Sequence, residues 1–262
     1  MSSADRRRRD GGGCRRSDLE FRSLLETLPA AAYTCDAGGL ITNFNALAVE
    51  LWGREPRRND PADRYCGSFK LFSPDGTPVR HEECWMALAL REGRRFDGRE
   101  IVVERPDGSR RTALAHASPI RDESGALLGA VNVLVDITER KRTEETLRAS
   151  ERHLRTIVDT TPECIKVVDR DGTLVSMNAA GLGMCDADRA DFVLGRSVYP
   201  IIADEYRESF REFNERVCRG EPGSLEFEIT GLKGTRRRME THAAPLPAGD
   251  GTFLHLAVTR DV

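Results

Sequence analysis

The stretch FRSLLETLPAAAYTCDAGGLITNFNA, residues 21–46, decides the fold because the chain contains it twice. The second copy, LRTIVDTTPECIKVVDRDGTLVSMNA at residues 154–179, aligns without a gap at an offset of 133 residues. The identical pairs are Arg22/Arg155, Thr27/Thr160, Pro29/Pro162, Asp36/Asp169, Gly39/Gly172, Asn45/Asn178 and Ala46/Ala179. Because there are only two copies, the repeat predicts tandem globular domains and not a solenoid.

A second matching block extends each copy toward its C-terminal end. Residues 100–119 align with residues 226–245 at an offset of 126, and the closing VDI and RDV tripeptides align at an offset of 125. The offset therefore drops by seven residues between the first two blocks. This difference predicts a deletion in the middle of the second copy.

Each copy has the same order of predicted elements. An amphipathic helix leads into two strands joined by a turn at Gly39 or Gly172, and a longer helix follows over residues 81–93 or 204–220. Three strands with alternating apolar residues close the copy. This order predicts an α+β domain with one antiparallel sheet of five strands and its helices on one face.

The segment between the copies is charged, free of Pro and Gly, and rich in good helix formers. Asp136 and Thr138 are able to cap its start. Leu147 and Leu154 are seven residues apart, with Ile157 three further on. This narrow apolar stripe predicts either a helix that pairs with a second chain in a homodimer or a solvated linker.

These patterns give four segments. Residues 1–17 form a disordered basic tail, residues 18–137 the first domain, residues 138–153 a helical signalling linker and residues 154–262 the second domain. The tail carries an arginine cluster that is able to touch acidic surfaces, but a solvated tail is the simpler interpretation because it has almost no apolar residues.

Composition excludes several classes of protein. Of 262 residues, 39% are hydrophobic and 32% are charged, which is typical of a globular protein. The longest nearly apolar run, residues 125–135, is too short to span a bilayer, and no apolar segment follows the N-terminal arginines. Net charge is −3 with interspersed signs, which gives no broad case for nucleic acid. We expect a cytoplasmic protein without a membrane partner, whose seven cysteines, free of C-x-x-C pairs, are reduced.

The motifs named so far resemble the PAS family. Its marks are a D-x-x-G turn, here residues 36–39 and 169–172, a strand that ends in Asn45 or Asn178, and a DITERK linker at residues 136–141. The resemblance covers residues 18–262 and implies two PAS domains. It also implies sensing of a ligand, redox state or light between sheet and helices, with relay along the exit helix. Such arrays are similar to the input regions of bacterial sensor histidine kinases, and less so of diguanylate cyclases.

The chain carries no catalytic motif that we recognise: there is no phosphoacceptor box, ATP-lid pattern or GGDEF-like motif. We therefore expect a sensory and dimerisation module and not an enzyme. Its output lies either in a C-terminal domain of a longer receptor or in a separate kinase or regulator. The sequence requires no cofactor and leaves the ligand unknown. The alternatives are a haem- or flavin-bearing redox or gas sensor and a ligand-free structural spacer.

Both copies offer candidate pocket residues. In the first copy three small residues on one strand face are expected to lie opposite bulky ones, which leaves either a cavity or a closely packed core. The second copy is expected to be better filled, although its aromatic residues are able to form a pocket wall. The candidates are Phe72, Trp85, Met86, Ala113, Ala115 and Ala117 in the first copy, and Tyr206, Phe210, Phe213, Phe227 and Met239 in the second.

Other polar residues receive simpler interpretations. His81 and Cys84 have a spacing that suits a metal or haem, but an exposed histidine beside a buried cysteine is favoured. His116 and His242 are equivalent in the repeat and lie on the outer strand face. No cysteine stands in the N-C-R-F-x-Q context of flavin photochemistry.

The remaining candidates lie next to helices. Asn45 and Asn178 are interpreted as helix caps in preference to ligand contacts. Asp136, Thr138, Leu147 and Leu154 are expected to couple the sheet to the linker helix. His153 is interpreted as a solvated residue on that linker.

Overall fold

The computed structural model describes residues 10–249 and 251–262. The chain divides into two compact units, with the boundary between Glu145 and Thr146. No helix within the described residues is long and apolar enough to span a bilayer.

The first domain has a lead-in helix, seven strands and two further helices. Its elements are α1 (Asp10–Thr27), β1 (Ala31–Asp36), β2 (Ile41–Phe44), α2 (Ala46–Trp52), β3 (Lys70–Phe72), β4 (Pro78–Val79), α3 (Trp85–Glu92), β5 (Phe96–Glu104), β6 (Arg110–Arg121) and β7 (Leu127–Asp136), with 3₁₀ turns at Pro61–Asp63 and His81–Glu83.

The sheet of the first domain is larger than the sequence predicted. Its strand order is β2-β1-β7-β6-β5-β3-β4, all antiparallel, so it has seven strands and not five. The two extra strands, β3 and β4, pair with each other as a short hairpin, and β3 also pairs with β5. Because these strands are three and two residues long, they show no readable alternation in the sequence.

The second domain has the five predicted strands. Their order is β10-β11-β12-β8-β9, also antiparallel. The predicted deletion lies in the region where the first domain has its extra hairpin. Helix α4 (Thr138–Thr160) contains the boundary between the two units. The other elements of the second domain are β8 (Cys164–Val168), β9 (Leu174–Met177), α5 (Ala179–Met184), α6 (Arg207–Cys218), β10 (Gly223–Thr230), β11 (Arg236–Pro247) and β12 (Phe253–Asp261), with 3₁₀ turns at Ala190–Phe192, Tyr199–Ile201 and Asp204–Tyr206.

Three helix boundaries differ from the sequence predictions. Helix α1 begins at Asp10, within the segment 1–17 that was expected to be a disordered tail, and residues 1–9 lie outside the described ones. The helix expected over residues 81–93 is a 3₁₀ turn followed by α3, whose C-cap Gly93 lies in the left-handed region (φ 63°). The helix expected over residues 204–220 is likewise a 3₁₀ turn followed by α6. The predicted linker helix is present as α4, which runs from Thr138 to Thr160.

A glycine in each D-x-x-G turn is required by the backbone and by a neighbouring ring. Gly39 and Gly172 have φ angles of 86° and 84°, which L side chains rarely adopt. A Cβ at Gly39 would overlap the ring of Tyr65, and a Cβ at Gly172 would overlap the ring of Tyr199. The repeated glycine therefore permits both the turn and the packing of an aromatic residue against it.

Candidate ligand site in the second domain

The core of the first domain is almost completely filled. Met86, Ala113 and Ala115 share this core, as expected, and Trp85 packs at its margin. Trp52 and Tyr33, which were not among the candidates, occupy the centre in an edge-to-face contact with ring centroids 5.1 Å apart. The remaining void is about 10 Å³, the space of about one water molecule. Of the two alternatives for the small residues, the structure has the closely packed core.

Two candidates of the first domain lie apart from that core. Ala117 packs with Ala89 and Phe96 in a smaller cluster. Phe72 is half-buried on the β3–β4 hairpin, where the Arg110 guanidinium lies 4.2 Å from its ring centroid. Phe72 therefore lines an open groove at the hairpin and does not meet Trp85 and Met86 across a pocket.

The second domain has the larger enclosed cavity, contrary to the expectation that its core is better filled. The cavity measures about 30 Å³. Phe210, Phe227 and Met239 line it, as the sequence predicted. Phe213 instead packs beside it in a separate cluster, and Tyr206 lies half-buried at the edge of the core.

A lysine that the sequence analysis missed lines this cavity. Strand β8 buries Cys164, Lys166 and Val168 on its inner face, and Lys166 is only 7% exposed. Its Nζ donates a hydrogen bond to Thr259 Oγ1 at 2.5 Å, and that hydroxyl lies 2.7 Å from Thr241 Oγ1. Burial lowers the pKa of Lys166 below the usual value of a lysine.

The signal for this lysine was present in the repeat. At the offset of 133 residues, Lys166 stands where the first copy has Tyr33. Tyr33 is 1% exposed, and its hydroxyl donates to Tyr65 O at 3.0 Å while accepting from Asn132 Nδ2 at 3.2 Å. Tyr33 and Lys166 are both buried, so the structure of the first copy shows the same inward position that Lys166 has in the second.

A buried histidine next to the aromatic residues was also missed. His255 is fully buried, with its ring stacked on Phe210 at a centroid distance of 6.0 Å. Its Nδ1 lies 2.8 Å from Asn214 Oδ1, and because the Asn214 amide nitrogen donates to two backbone carbonyls, Nδ1 is the donor. Burial lowers the pKa of His255 to about 3, so the ring is neutral at pH 7.

A wider opening adjoins the enclosed cavity. It measures about 240 Å³ and is lined mainly by apolar side chains from β9, from the segment between α5 and α6 and from the β10–β11 turn, together with Arg196 and Ser197. Met177, Cys185, Val198 and Ile201 line both spaces. The second domain therefore has a small interior cavity with one buried amine, next to a larger apolar opening.

The comparison with known families agrees with the repeat. A family model described as the PAS fold matches residues 25–142 and again residues 158–262. The chain belongs to the PAS family. Each match covers one of the two domains, so the cavity with Lys166 lies in the second PAS domain.

The curated relatives are much longer than this chain. Sporulation kinase A of Bacillus subtilis is 28% identical over 180 residues, which cover 68% of this chain and 27% of that protein. Sensor protein FixL of Bradyrhizobium diazoefficiens is 38% identical over 66 residues, which cover 25% of this chain and 13% of that protein. The aligned part thus spans less than a third of either relative.

Among solved structures, single PAS domains are similar to part of the chain. The PAS domain of an HTR-like protein from Haloarcula marismortui is 24% identical with a TM-score of 0.42, covering 47% of this chain and 99% of that one. A PAS domain from a two-component sensor histidine kinase is 13% identical with a TM-score of 0.37, covering 44% of this chain and 98% of that one.

Asn45 and Asn178 cap helices in the two PAS domains, and each also ties the lead-in helix to the sheet. Asn178 Oδ1 accepts from Gly181 N in α5 and from Ile165 N in β8, both at 3.0 Å. Its Nδ2 donates to Val158 O, near the end of α4, and to Glu163 O, both at 2.9 Å. Asn45 makes the equivalent four bonds in the first domain.

The start of α4 is tied to the first PAS domain by the predicted coupling residues. Asp136 Oδ1 accepts from the backbone N of Thr138 at 2.8 Å and from its hydroxyl at 2.5 Å. Thr138 Oγ1 in turn accepts from Thr112 N of β6 at 2.9 Å. Leu147 and Leu154 lie further along the helix, 58% and 59% exposed.

The histidines set aside in the sequence analysis lie outside both cavities. His116 and His242 are on outer strand faces, near Asp97 and Glu240 respectively. His81 is half-buried and not exposed as expected, and its Nε2 lies 3.2 Å from Ser68 Oγ. His153 is exposed on α4. Within the described residues no group of three or more His, Cys, Asp or Glu side chains is arranged to hold a metal ion.

The cysteines with described side chains are all free, and five of them are buried. Burial raises the pKa of Cys84 to about 12 and that of Cys185 to about 11. Burial also raises the pKa of Cys164, next to Lys166 on β8. Since the thiolate is the reactive form, these side chains are neutral, unreactive thiols at pH 7.

Proposed function

We propose that this chain is the sensory input region of a bacterial signal-transduction protein, in which the second PAS domain binds a small molecule. The observation that carries the proposal is the cavity of about 30 Å³ in the second domain, with Lys166 on its wall and an apolar opening of about 240 Å³ beside it. The relatives named as a sporulation kinase and a sensor protein support a place in a two-component phosphorelay.

The first PAS domain is proposed to act as a packed spacer. Its core retains a void of about 10 Å³, and the hydroxyl of its central Tyr33 has both a donor and an acceptor partner. A ligand would have to displace well-packed side chains such as Trp52, which is fully buried. The contrast between the two copies favours the second as the sensor.

Helix α4 is the proposed relay. Asp136 and Thr138 fix its start to the sheet of the first domain, and Asn178 fixes Val158 near its end to β8 of the second. A ligand that moves β8 would therefore act on the last turn of α4 through Asn178. The relay requires a helix with two arrangements whose populations the ligand shifts.

The partner of this relay is proposed to be a second copy of the chain. Leu147 and Leu154 expose apolar side chains at heptad spacing on a helix that is otherwise charged. The output is proposed to be a kinase domain of the same protein or a separate kinase or regulator. The cytoplasmic location and the lack of a nucleic-acid partner, both expected from the sequence, belong to the same proposal.

A cavity-filling substitution tests the relay without knowledge of the ligand. Val198→Met places extra atoms in the cavity, since Val198 lines both spaces and is buried. We expect changed hydrogen exchange at residues 154–160 of α4 and a changed dimer dissociation constant in sedimentation. The matched control is Val103→Met in the core of the first domain, where the void is about 10 Å³. A folded Val198→Met variant with unchanged α4 exchange would refute the relay.

A further inference from the structure

Lys166 is a buried amine for which the described residues supply no counter-ion. It lies on the inner face of β8 with 7% of its surface exposed, and no carboxylate of the described residues pairs with its Nζ. The titratable neighbours that influence it are the thiols of Cys164 and Cys185. Because burial raises the pKa of both thiols, neither is an anion at pH 7.

The hydrogen bonds of Lys166 are also incomplete. An ammonium group has three donors, and the described residues give Nζ one acceptor, the hydroxyl of Thr259 at 2.5 Å. Thr259 is itself engaged with Thr241 Oγ1 at 2.7 Å. A charged group with unused donors in an apolar core is costly unless something satisfies it.

The space next to Nζ has the character of a binding site for an amphipathic molecule. Apart from Lys166 and Thr259, the enclosed cavity is lined by thiols and by apolar side chains such as Met184, Ile202 and Phe227. The adjoining opening of about 240 Å³ is also lined mainly by apolar side chains, with Arg196 and Ser197 as its polar ones. A ligand with one anionic head and an apolar tail would match both parts.

We propose that the second PAS domain binds a monocarboxylate with an apolar tail, held by its carboxylate at Lys166 Nζ and Thr259 Oγ1. The inference deepens the proposed sensory function and rests on it. A single negative charge neutralises the single ammonium group, whereas a phosphate dianion would leave one charge uncompensated in an apolar site. The tail lies among Met177, Met184 and Ile201 and extends toward the opening.

The first PAS domain supplies an internal contrast. Tyr33 occupies the position equivalent to Lys166 and has both its donor and its acceptor satisfied. It presents no charge to the small void beside it. The carboxylate site is therefore a property of the second copy alone.

The test uses the full chain with acetate, butyrate and octanoate as probes and octan-1-ol as the matched neutral tail. Titration calorimetry is expected to show binding that tightens with tail length, and octan-1-ol is expected to bind roughly 10- to 100-fold more weakly than octanoate, from a charge-assisted hydrogen bond worth about 1.5–3 kcal/mol. Because methionine is close to lysine in shape but uncharged, Lys166→Met is expected to weaken octanoate binding by the same factor. The control Lys233→Met, at an exposed lysine that pairs with Asp188, is expected to leave octanoate binding unchanged.

Three results would overturn the inference: no binding by any of the carboxylates, equal binding of octanoate and octan-1-ol, or undiminished octanoate binding by a folded Lys166→Met variant. A failure of the ligand class is distinguishable from a failure of the sensory function. If Val198→Met changes α4 exchange while no carboxylate binds, the ligand class is wrong and the relay stands. If octanoate binds through Lys166 but leaves α4 exchange unchanged, the carboxylate site stands and the relay is wrong.

Discussion

Replacing Asn178 with alanine should destabilise the second PAS domain alone by about 4 kcal/mol. The side chain is 3% exposed and makes four hydrogen bonds of 2.9–3.0 Å, which link α4, β8 and α5. A net contribution of about 1 kcal/mol per bond gives this figure. It is a large share of the roughly 5–15 kcal/mol that stabilises a typical domain. With a urea slope of about 2 kcal/mol per molar, the unfolding midpoint falls by about 2 M.

The assay separates the two domains because both tryptophans of the chain, Trp52 and Trp85, lie in the first one. Tryptophan fluorescence then follows the first domain, and far-ultraviolet circular dichroism follows both. Asn178→Ala should shift only the transition that fluorescence does not detect, and Asn45→Ala should shift the fluorescence transition by a similar amount. The exposed neighbour Ser176→Ala should change stability by less than about 0.5 kcal/mol. A loss below about 1 kcal/mol for Asn178→Ala would refute the hydrogen-bond argument.

Three further predictions concern the second domain. Burial lowers the folded pKa of Lys166, so burying its ammonium form reduces stability at pH 7, and this cost disappears as pH rises through the unfolded pKa of about 10.4. Lys166→Met should therefore be more stable than wild type at pH 7, by a margin that shrinks toward pH 10. A margin that stays constant with pH in urea titrations would contradict this. The folded pKa of His255, about 3, lies below the usual 6.5, so unfolding free energy should fall by about 1.4 kcal/mol per pH unit from pH 6 to 4.5 and lose that slope in His255→Phe. Gly172→Ala should lower the free energy of unfolding by more than about 1 kcal/mol, because the φ of Gly172 is 84° and a Cβ there would overlap Tyr199. The control Gly183→Ala, in α5 with open space around it, should leave stability unchanged or raise it. Equal thermal midpoints of the two variants would refute the steric argument.

Local patterns predicted the parts of the fold that depend on local chemistry. The repeat predicted two α+β domains, and the asparagine before each short helix predicted its cap. The charged, Pro-free segment predicted α4. The extra β3–β4 hairpin was missed because strands of three and two residues carry no periodic signal, and they form only where β5 offers them an edge.

The sequence by itself determined the number of domains, their class and the residues that close their turns and helices, because these follow from the spacing of apolar, capping and glycine residues. Only the tertiary structure decided which core is filled. Trp52 and Tyr33 come from elements distant from Ala113 in the chain, and their packing closes the first core. In the second domain, β8 has apolar residues on both faces, so alternation could not show which way Lys166 points. Pairing with β12 placed it inside, where its amine has no carboxylate partner among the described residues, and this defines the proposed site.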